Sequence, residues 1–193
     1  MGADLVIKNG LVVDGTGGPA RRADVAVQGG RIVAIGDDLE GAETLDATGQ
    51  VVAPGFIDIH THYDAQVFFD PALTPSSHHG VTTVVAGNCG FTLAPLHAED
   101  AAYTREMLAA VEGMSVAALA EGVSWDWHSF ADYLDRLDGQ IGVNAAFLVG
   151  HCALRRYVMR EEAVGNEASP EQIAEMQRVL AESIHEHLHP GAR

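Results

Sequence analysis

Residues 54–62 have the sequence PGFIDIHTH, a Pro-Gly break followed by an apolar run that ends in two histidines. An apolar run of this kind is typical of a strand buried on both faces, as in a parallel sheet. Alternate residues of a strand point to the same side and lie about 6.6 Å apart. His60 and His62 are therefore predicted to direct two imidazoles at one metal ion from the end of a strand.

Asp58 precedes His60 by two residues and is predicted to share its side of the strand. It either orients a metal ligand or faces the interior of the fold. A His-X-His pair taken alone also describes two surface histidines, but the Pro-Gly break and the strand before it favour the metal site.

A second apolar run, over residues 81–86, ends in the turn Gly87-Asn88-Cys89-Gly90. The glycines let the backbone turn sharply, so Cys89 is presented just past the end of the strand. A thiolate is a good zinc ligand, whereas a lone cysteine is more commonly a small buried hydrophobic residue. His60 and His62 favour the ligand interpretation. Asn88 is the candidate for a supporting contact.

A third apolar run covers residues 143–149, and helical patterns lie between and after the runs. Helices are predicted over residues 100–111, over residues 130–137 and from a Ser169 N-cap onward. Strands that alternate with helices indicate βα units, whose active sites form at the carboxyl ends of the strands. His151 follows the third run, so it either lines the site or has a structural role.

The first fifty residues contain short apolar runs separated by turn sequences. Asn9-Gly10 and Gly29-Gly30 each predict a β-hairpin. A further strand pair is predicted around residues 44–45 and 50–52. These patterns predict a small antiparallel sheet, an incomplete β-sandwich, as a subdomain over residues 1–53.

The composition narrows the functional classes. The chain has 193 residues, 47% of them apolar, and a formal net charge of −16, so phosphate backbones and anionic membranes would be repelled. We therefore expect neither a nucleic-acid nor a membrane partner, and no apolar run reaches the roughly 20 residues that span a bilayer. With no secretory signal visible and two distant cysteines, the cytoplasm is the expected location.

Several stretches resemble the amidohydrolase superfamily, and within it the N-acyl-D-amino-acid deacylase (D-aminoacylase) branch. They are NGLVVDGTG, PGFIDIHTHYDAQ, GVTTVVAGNCGFTLAP and NAAFLVGHCALR, which together span residues 9–155. The resemblance implies that His60, His62 and Cys89 bind zinc, and that zinc-activated water attacks the carbonyl carbon of a small-molecule amide substrate. It also makes Asp64, in the HTHYDAQ motif, a possible site-lining residue, although the best-known relatives have HTHDD there.

The resemblance further implies two histidines and a general-base aspartate from later strands, and no strand-end motif for these occurs in the sequence. No catalytic residue is therefore identified. A TIM-type (β/α) barrel takes about 250 residues, many more than residues 54–193 provide. The overall expectation is an α/β chain with a small β subdomain and the first βα units of an incomplete barrel. The remainder of the barrel is needed for a complete site, and this fragment alone is expected to be inactive.

Two alternatives remain open. One is a cyclic-amide hydrolase of the hydantoinase or dihydroorotase type, against which Cys89 argues because those relatives use a carboxylated lysine. The other is a non-catalytic truncated chain. Cys152 is expected to have no ligand partner nearby. His185, His187 and His189 are interpreted as non-functional, although His185 and His189 have the helical spacing of a shared metal site.

Overall fold

The computed structural model describes the backbone of residues 2–188 and the side chains of residues 2–185. The chain divides into two compact units, Met1–Gly55 and Phe56–Arg193. No helix in the described part is both long and apolar enough to cross a membrane.

The first unit is a single five-stranded sheet. Its strands are β1 (Ala3–Val12), β2 (Arg21–Gln28), β3 (Arg31–Gly36), β4 (Gly41–Asp46) and β5 (Val51–Val52). The order is β3-β2-β1-β4, and β5 also pairs with β1. The β1–β2 and β2–β3 pairs are antiparallel, as predicted, and the second is closed by the Gly29-Gly30 hairpin turn. The predicted pairing of β4 with β5 is wrong, because each pairs with β1 in parallel and the sheet is mixed.

The hairpin predicted at Asn9-Gly10 is also wrong. Both residues lie inside β1, at a β-bulge where Lys8 and Asn9 stand opposite Asp24 alone. Asn9 adopts a left-handed φ of 63°, and its N–H donates to Asp24 Oδ1 at 2.9 Å. The conformation that favours Asn-Gly in a tight turn is used here to accommodate one extra residue in a continuous strand.

The second unit contains a three-stranded parallel sheet, as the three apolar runs predicted. Its strands are β6 (Phe56–Thr61), β7 (Val81–Ala86) and β8 (Asn144–Phe147), in that order. Ile57 pairs with Thr83, and Val84 pairs with Ala145. Because the strands are parallel, their carboxyl ends lie at one edge of the sheet.

Helices follow β7 and β8. They are α1 (Ala101–Glu112), α2 (Val116–Gly122), α3 (Phe130–Leu137), α4 (His151–Met159) and α5 (Pro170–Leu188). Short 3-10 turns cover Gln66–Phe68, Ser76–His79, Ala98–Asp100 and Arg160–Ala163. The predicted capping box at Ser169 is confirmed, since Ser169 Oγ accepts from Gln172 N at 3.2 Å and Gln172 Oε1 accepts from Ser169 N at 2.9 Å.

The main core of the second unit packs one face of the sheet against the loops and helices that follow it. Val84 of β7, Leu93, Trp127 and Tyr133 are almost fully buried in it. The Trp127 indole N–H donates to the Leu93 carbonyl at 2.9 Å, so its polar atom is satisfied inside the apolar core. This packing fixes the loop after β7, and that loop carries Cys89.

Candidate metal centre

Strand β6 places two histidines at the carboxyl edge of the sheet. His60 is its penultimate residue, and His62 follows its last residue, Thr61. The two imidazole rings stack with their centroids 5.4 Å apart and their planes inclined by 25°. Asp58 Oδ1 accepts a hydrogen bond from the His60 backbone N–H at 3.2 Å, so this carboxylate contacts the histidine backbone rather than a ring.

The turn after β7 presents Cys89 at the same edge. Gly87 and Gly90 both have φ of 89°, and the Gly90 N–H donates to the Gly87 carbonyl at 3.0 Å. These left-handed conformations favour glycine and close a tight turn around Cys89. The Asn88 side-chain amide donates to the Ile59 carbonyl at 3.1 Å, which ties the turn to β6.

The three predicted ligands come together. One donor atom from each of His60, His62 and Cys89 lies within 4.8 Å of the others, and Cys89 Sγ is 3.7 Å from His62 Nδ1. A tetrahedral zinc ion with bonds of about 2.3 Å to sulfur and 2.0–2.1 Å to nitrogen separates such donors by about 3.3–3.6 Å. Small side-chain rotations therefore suffice to reach that geometry. A thiolate with two imidazoles is also the donor chemistry that suits zinc.

Glu112, the last residue of α1, is a site residue that the sequence did not indicate. Its Oε1 lies 2.5 Å from His62 Nδ1, and the side chains of His62 and Glu112 are 36% and 13% exposed. The two residues are fifty positions apart, and the helix around Glu112 carries no recognisable motif. Only the apolar periodicity of α1 was visible, which predicts a helix but not what its last side chain contacts.

Asp64 lies beneath the surface rather than in the cluster of donor atoms. It is 5% exposed, and burial raises the pKa of its carboxyl to about 7. The His62 side chain lowers that pKa, and the Glu112 carboxylate raises it, both by smaller amounts than burial. Its backbone carbonyl accepts a hydrogen bond from the Tyr133 hydroxyl at 2.9 Å.

His151 and Cys152 begin α4 beside the Cys89 turn. His151 is exposed, and its donor atoms are not part of the three-residue cluster. The Cys152 thiol, for which no ligand partner was expected, is likewise not part of the three-residue cluster, although it lies close enough to Cys89 to feel its charge. The Cys152 N–H donates to the Gly90 carbonyl at 3.0 Å, and its thiol pKa is raised by burial and, to a smaller extent, by the Cys89 thiolate. The residues after β8 fold back against the glycine turn, which linear separation does not reveal.

The C-terminal histidines cannot be placed in the same way. His189 and the side chain of His187 lie outside the described residues. The interpretation of this group as non-functional stays a prediction.

Sequence comparison assigns the chain to a family. The profile of the amidohydrolase family matches residues 43–189, and the chain belongs to that family. It is 43% identical over 185 residues to the D-aminoacylase of Alcaligenes xylosoxydans xylosoxydans, an alignment that covers 94% of this chain and 35% of the relative.

Solved structures give the same result. A D-aminoacylase described as having a binuclear metal centre superposes with a TM-score of 0.78 at 40% identity, over 95% of this chain and 36% of that one. The N-acyl-D-glutamate deacylase of Bordetella bronchiseptica, in complex with zinc and a phosphonate inhibitor, superposes with a TM-score of 0.76 at 35% identity, over 96% and 37%. The chain thus spans about a third of the length of these relatives.

Proposed function

We propose that this chain supplies the first metal ligands of a zinc-dependent amidohydrolase that cleaves linear amides, with N-acyl-D-amino acids as the substrate class. The observation that carries the proposal is the convergence of His60, His62 and Cys89 donor atoms within 4.8 Å at the carboxyl edge of a parallel sheet. The names of the similar proteins support the substrate class.

Each residue has a defined task in this proposal. Bound zinc would lower the pKa of a water ligand and polarise the amide carbonyl. His60 and His62 donate neutral nitrogens and Cys89 a thiolate, which offsets one positive charge of the ion. Asn88 braces the Cys89 turn through its bond to the Ile59 carbonyl. The sharply turned glycines keep the thiolate at the edge where substrate would bind.

The remaining parts of the reaction need groups beyond this cluster. Hydrolysis of an amide requires a base that takes a proton from water and passes it to the leaving nitrogen. We propose that this base and further ligands come from additional strands that complete the barrel. Both cysteines are free thiols. A thiolate ligand persists in a reducing compartment, which supports the cytoplasm as the proposed location.

A chimera provides the test. The matched segment of the Alcaligenes D-aminoacylase is replaced by this chain, and the purified, zinc-loaded protein is assayed with N-acyl-D-amino acids, N-acyl-L-amino acids and cyclic amides. We expect turnover of the D-substrates, lost in His60→Ala and retained in His128→Ala, whose side chain is exposed and outside the cluster.

Three results would contradict the proposal. Preferential turnover of cyclic amides would favour the hydantoinase-like alternative. A folded, zinc-loaded chimera without turnover would favour a non-catalytic chain. Equal activity in the His60→Ala and His128→Ala variants would show that the histidine pair is not a metal site.

A further inference from the structure

Cys152 lies beside the turn that carries Cys89. Its backbone N–H donates to the Gly90 carbonyl at 3.0 Å, and a methyl group on Gly90 would stand 3.8 Å from Cys152 Sγ. Burial raises the pKa of the Cys152 thiol, and the Cys89 thiolate raises it by a smaller amount. The backbone contact, the position of the sulfur and the electrostatics thus all place the second thiol next to the residue that follows Cys89.

The proposed metal site uses one of these two cysteines and leaves the other without a role. They are the only cysteines in the 193-residue chain, and both are half-buried free thiols. A small oxidant therefore reaches both sulfurs, and no third cysteine competes for either of them. Cys152 is not part of the cluster of donor atoms that contains Cys89.

The Cys89 sulfur has two alternative partners. Its Sγ lies 3.7 Å from His62 Nδ1, on the side of the histidines, whereas a disulfide requires it to swing toward α4. Gly90, with φ of 89°, is the residue between Cys89 and the contact with Cys152. Glycine adopts positive and negative φ about equally readily, so the turn changes conformation at this point at low cost. A sulfur bonded to Cys152 is no longer available to a metal ion.

We propose that Cys89 and Cys152 form a reversible intramolecular disulfide in the presence of a hydroperoxide, and that this modification switches off the metal site by removing its sulfur ligand. The thiolate, and not an oxidised sulfur, is the form of cysteine that binds metals. The effect on metal binding rests on the proposed function, to which it adds a modification site and a redox control.

The reaction with hydrogen peroxide balances in two steps. The Cys89 thiolate attacks one peroxide oxygen, the O–O bond breaks, and a sulfenic acid forms while the departing hydroxide takes up a proton to give water. The Cys152 thiol then attacks the Cys89 sulfur, so that an S–S bond replaces the S–O bond and a second water leaves with the Cys152 proton. Two electrons pass from the two sulfurs to the peroxide. A dithiol reverses the change by thiol–disulfide exchange.

The first test follows the thiols. The reduced, metal-free 193-residue chain is treated with hydrogen peroxide, and its free thiols are counted under denaturing conditions with a chromogenic disulfide reagent. We expect both thiols to be lost together and the intact mass to fall by two hydrogen atoms. Trypsin digestion without reductant is expected to yield the peptide 32–105 joined to the peptide 137–155. Dithiothreitol is expected to restore both thiols.

Metal binding is the second test. The reduced chain is expected to show the thiolate-to-metal absorption band with Co²⁺. The oxidised chain is expected to lose this band in proportion to the thiols lost, and to regain it after dithiothreitol and removal of the peroxide.

Cys152→Ser is the matched variant, because a hydroxyl replaces the thiol with little change in size. When reduced, it is expected to bind Co²⁺ like the wild type. In excess peroxide its Cys89 has no partner and is oxidised to the sulfinic acid, so dithiothreitol is not expected to restore the band. Cys152→Ala is treated in the same way, and circular dichroism verifies that each variant is folded.

The outcomes separate this inference from the proposed function. Thiols that stay free, a Cys89 sulfinic acid beside an intact Cys152 thiol, or disulfides that link two chains would each overturn the modification site. Equal recovery of the band in the wild type and Cys152→Ser would overturn it as well. A disulfide-linked chain that binds Co²⁺ like the reduced chain would overturn the redox control. A reduced chain that binds neither Co²⁺ nor Zn²⁺ but forms the disulfide would overturn the proposed function and leave the modification site standing.

Discussion

Cys89 is the residue that gives the candidate site its chemical character. A thiolate is softer than a carboxylate, and together with two imidazoles it selects for zinc over hard cations such as Mg²⁺. The turn Gly87–Gly90 and the Asn88 bond to β6 hold the sulfur close to the histidines. Cys152, at the start of α4 beside this turn, is also a free thiol, so the metal-binding effects of replacing the two cysteines can be compared.

We predict that Cys89→Ser weakens Co²⁺ and Zn²⁺ binding, because a hydroxyl is a poor ligand for these ions. The loss is expected to exceed about 10–100-fold, the usual cost of removing a residue that only hydrogen-bonds to a metal ligand. Cys152→Ser is expected to bind metal like the wild type, since the Cys152 thiol is not in the cluster of donor atoms. Competition with a chromophoric chelator measures both affinities. Equal losses in the two variants would mean that Cys152 also takes part in binding.

A second prediction concerns the buried hydrogen bond between the Tyr133 hydroxyl and the Asp64 carbonyl. Burial raises the pKa of Tyr133, so its hydroxyl stays protonated and donates to the Asp64 carbonyl. Tyr133→Phe leaves that buried carbonyl without this donor and is expected to reduce the free energy of unfolding by about 1–3 kcal/mol. Urea denaturation measures the change.

Tyr103→Phe is the matched control for that experiment. Tyr103 is half-buried, and its ring lies under the Arg156 guanidinium at 4.2 Å, a contact that phenylalanine keeps. We expect a change within about 0.5 kcal/mol. If Tyr103→Phe reduces the free energy of unfolding as much as Tyr133→Phe does, the hydrogen bond to the Asp64 carbonyl is not the cause of the Tyr133→Phe effect.

The sequence predicted His60, His62 and Cys89 because each stands at the end of an apolar strand, where local pattern and position agree. It missed Glu112 because the contact of this residue with His62 depends on where α1 ends in space, and no local pattern encodes a contact over fifty residues. It also did not indicate that α4 packs against the Gly90 carbonyl and so brings Cys152 close to the Cys89 turn. The convergence of residues at strand ends was thus predictable, whereas neighbours contributed by helices were not.

At the scale of elements, the start of α4 is fitted tightly against the Cys89 turn. Gly150 is the N-cap of α4 with φ of −72° and ψ of 137°, a conformation open to any residue. Its N–H donates to Thr92 Oγ1 at 3.0 Å. A methyl group on Gly150 would overlap Thr92 Oγ1 and would stand 2.5 Å from the Gly90 carbonyl oxygen. Space, not backbone freedom, therefore requires glycine here.

We predict that Gly150→Ala lowers the free energy of unfolding by about 1–3 kcal/mol, as overpacking does, and also weakens Co²⁺ binding because it displaces the turn that holds Cys89. Gly36→Ala is the control, since a methyl group there meets no atom within 4 Å. Chemical denaturation and metal titration measure the two effects. Wild-type metal affinity in a destabilised Gly150→Ala would show that the turn and α4 are not coupled.

Element type was easier to predict than element pairing. The Gly29-Gly30 hairpin and the parallel order of β6, β7 and β8 follow from local sequence and from strand–helix alternation. Asn9-Gly10 failed because the same left-handed preference of Asn serves both a two-residue turn and a bulge. Which one forms depends on whether a neighbouring strand continues alongside, and Asp24 of β2 supplies that partner.

At the scale of the whole molecule, the sheet of the second unit has three strands and an apolar surface that the described residues do not cover. Phe56, Ile57 and Ile59 of β6 are 67%, 65% and 66% exposed. Exposed apolar side chains in a parallel strand are unusual, since such strands are normally covered on both faces. The edge that carries the candidate metal site is therefore presented without an enclosing barrel.

The last prediction follows from that openness. The 193-residue chain is expected to bind zinc but to hydrolyse no N-acyl-D-amino acid, because binding and turnover have different requirements. Three protein ligands are enough to hold a zinc ion. Turnover also needs a positioned base, typically worth about 10²–10⁴-fold, and a closed site that orients the substrate against the attacking water. The measurement is a coupled assay for the released amino acid at saturating zinc, with the D-aminoacylase chimera as the positive control. Turnover by the isolated chain that vanishes in His60→Ala would show that the cluster His60, His62 and Cys89 is catalytically sufficient without further barrel strands.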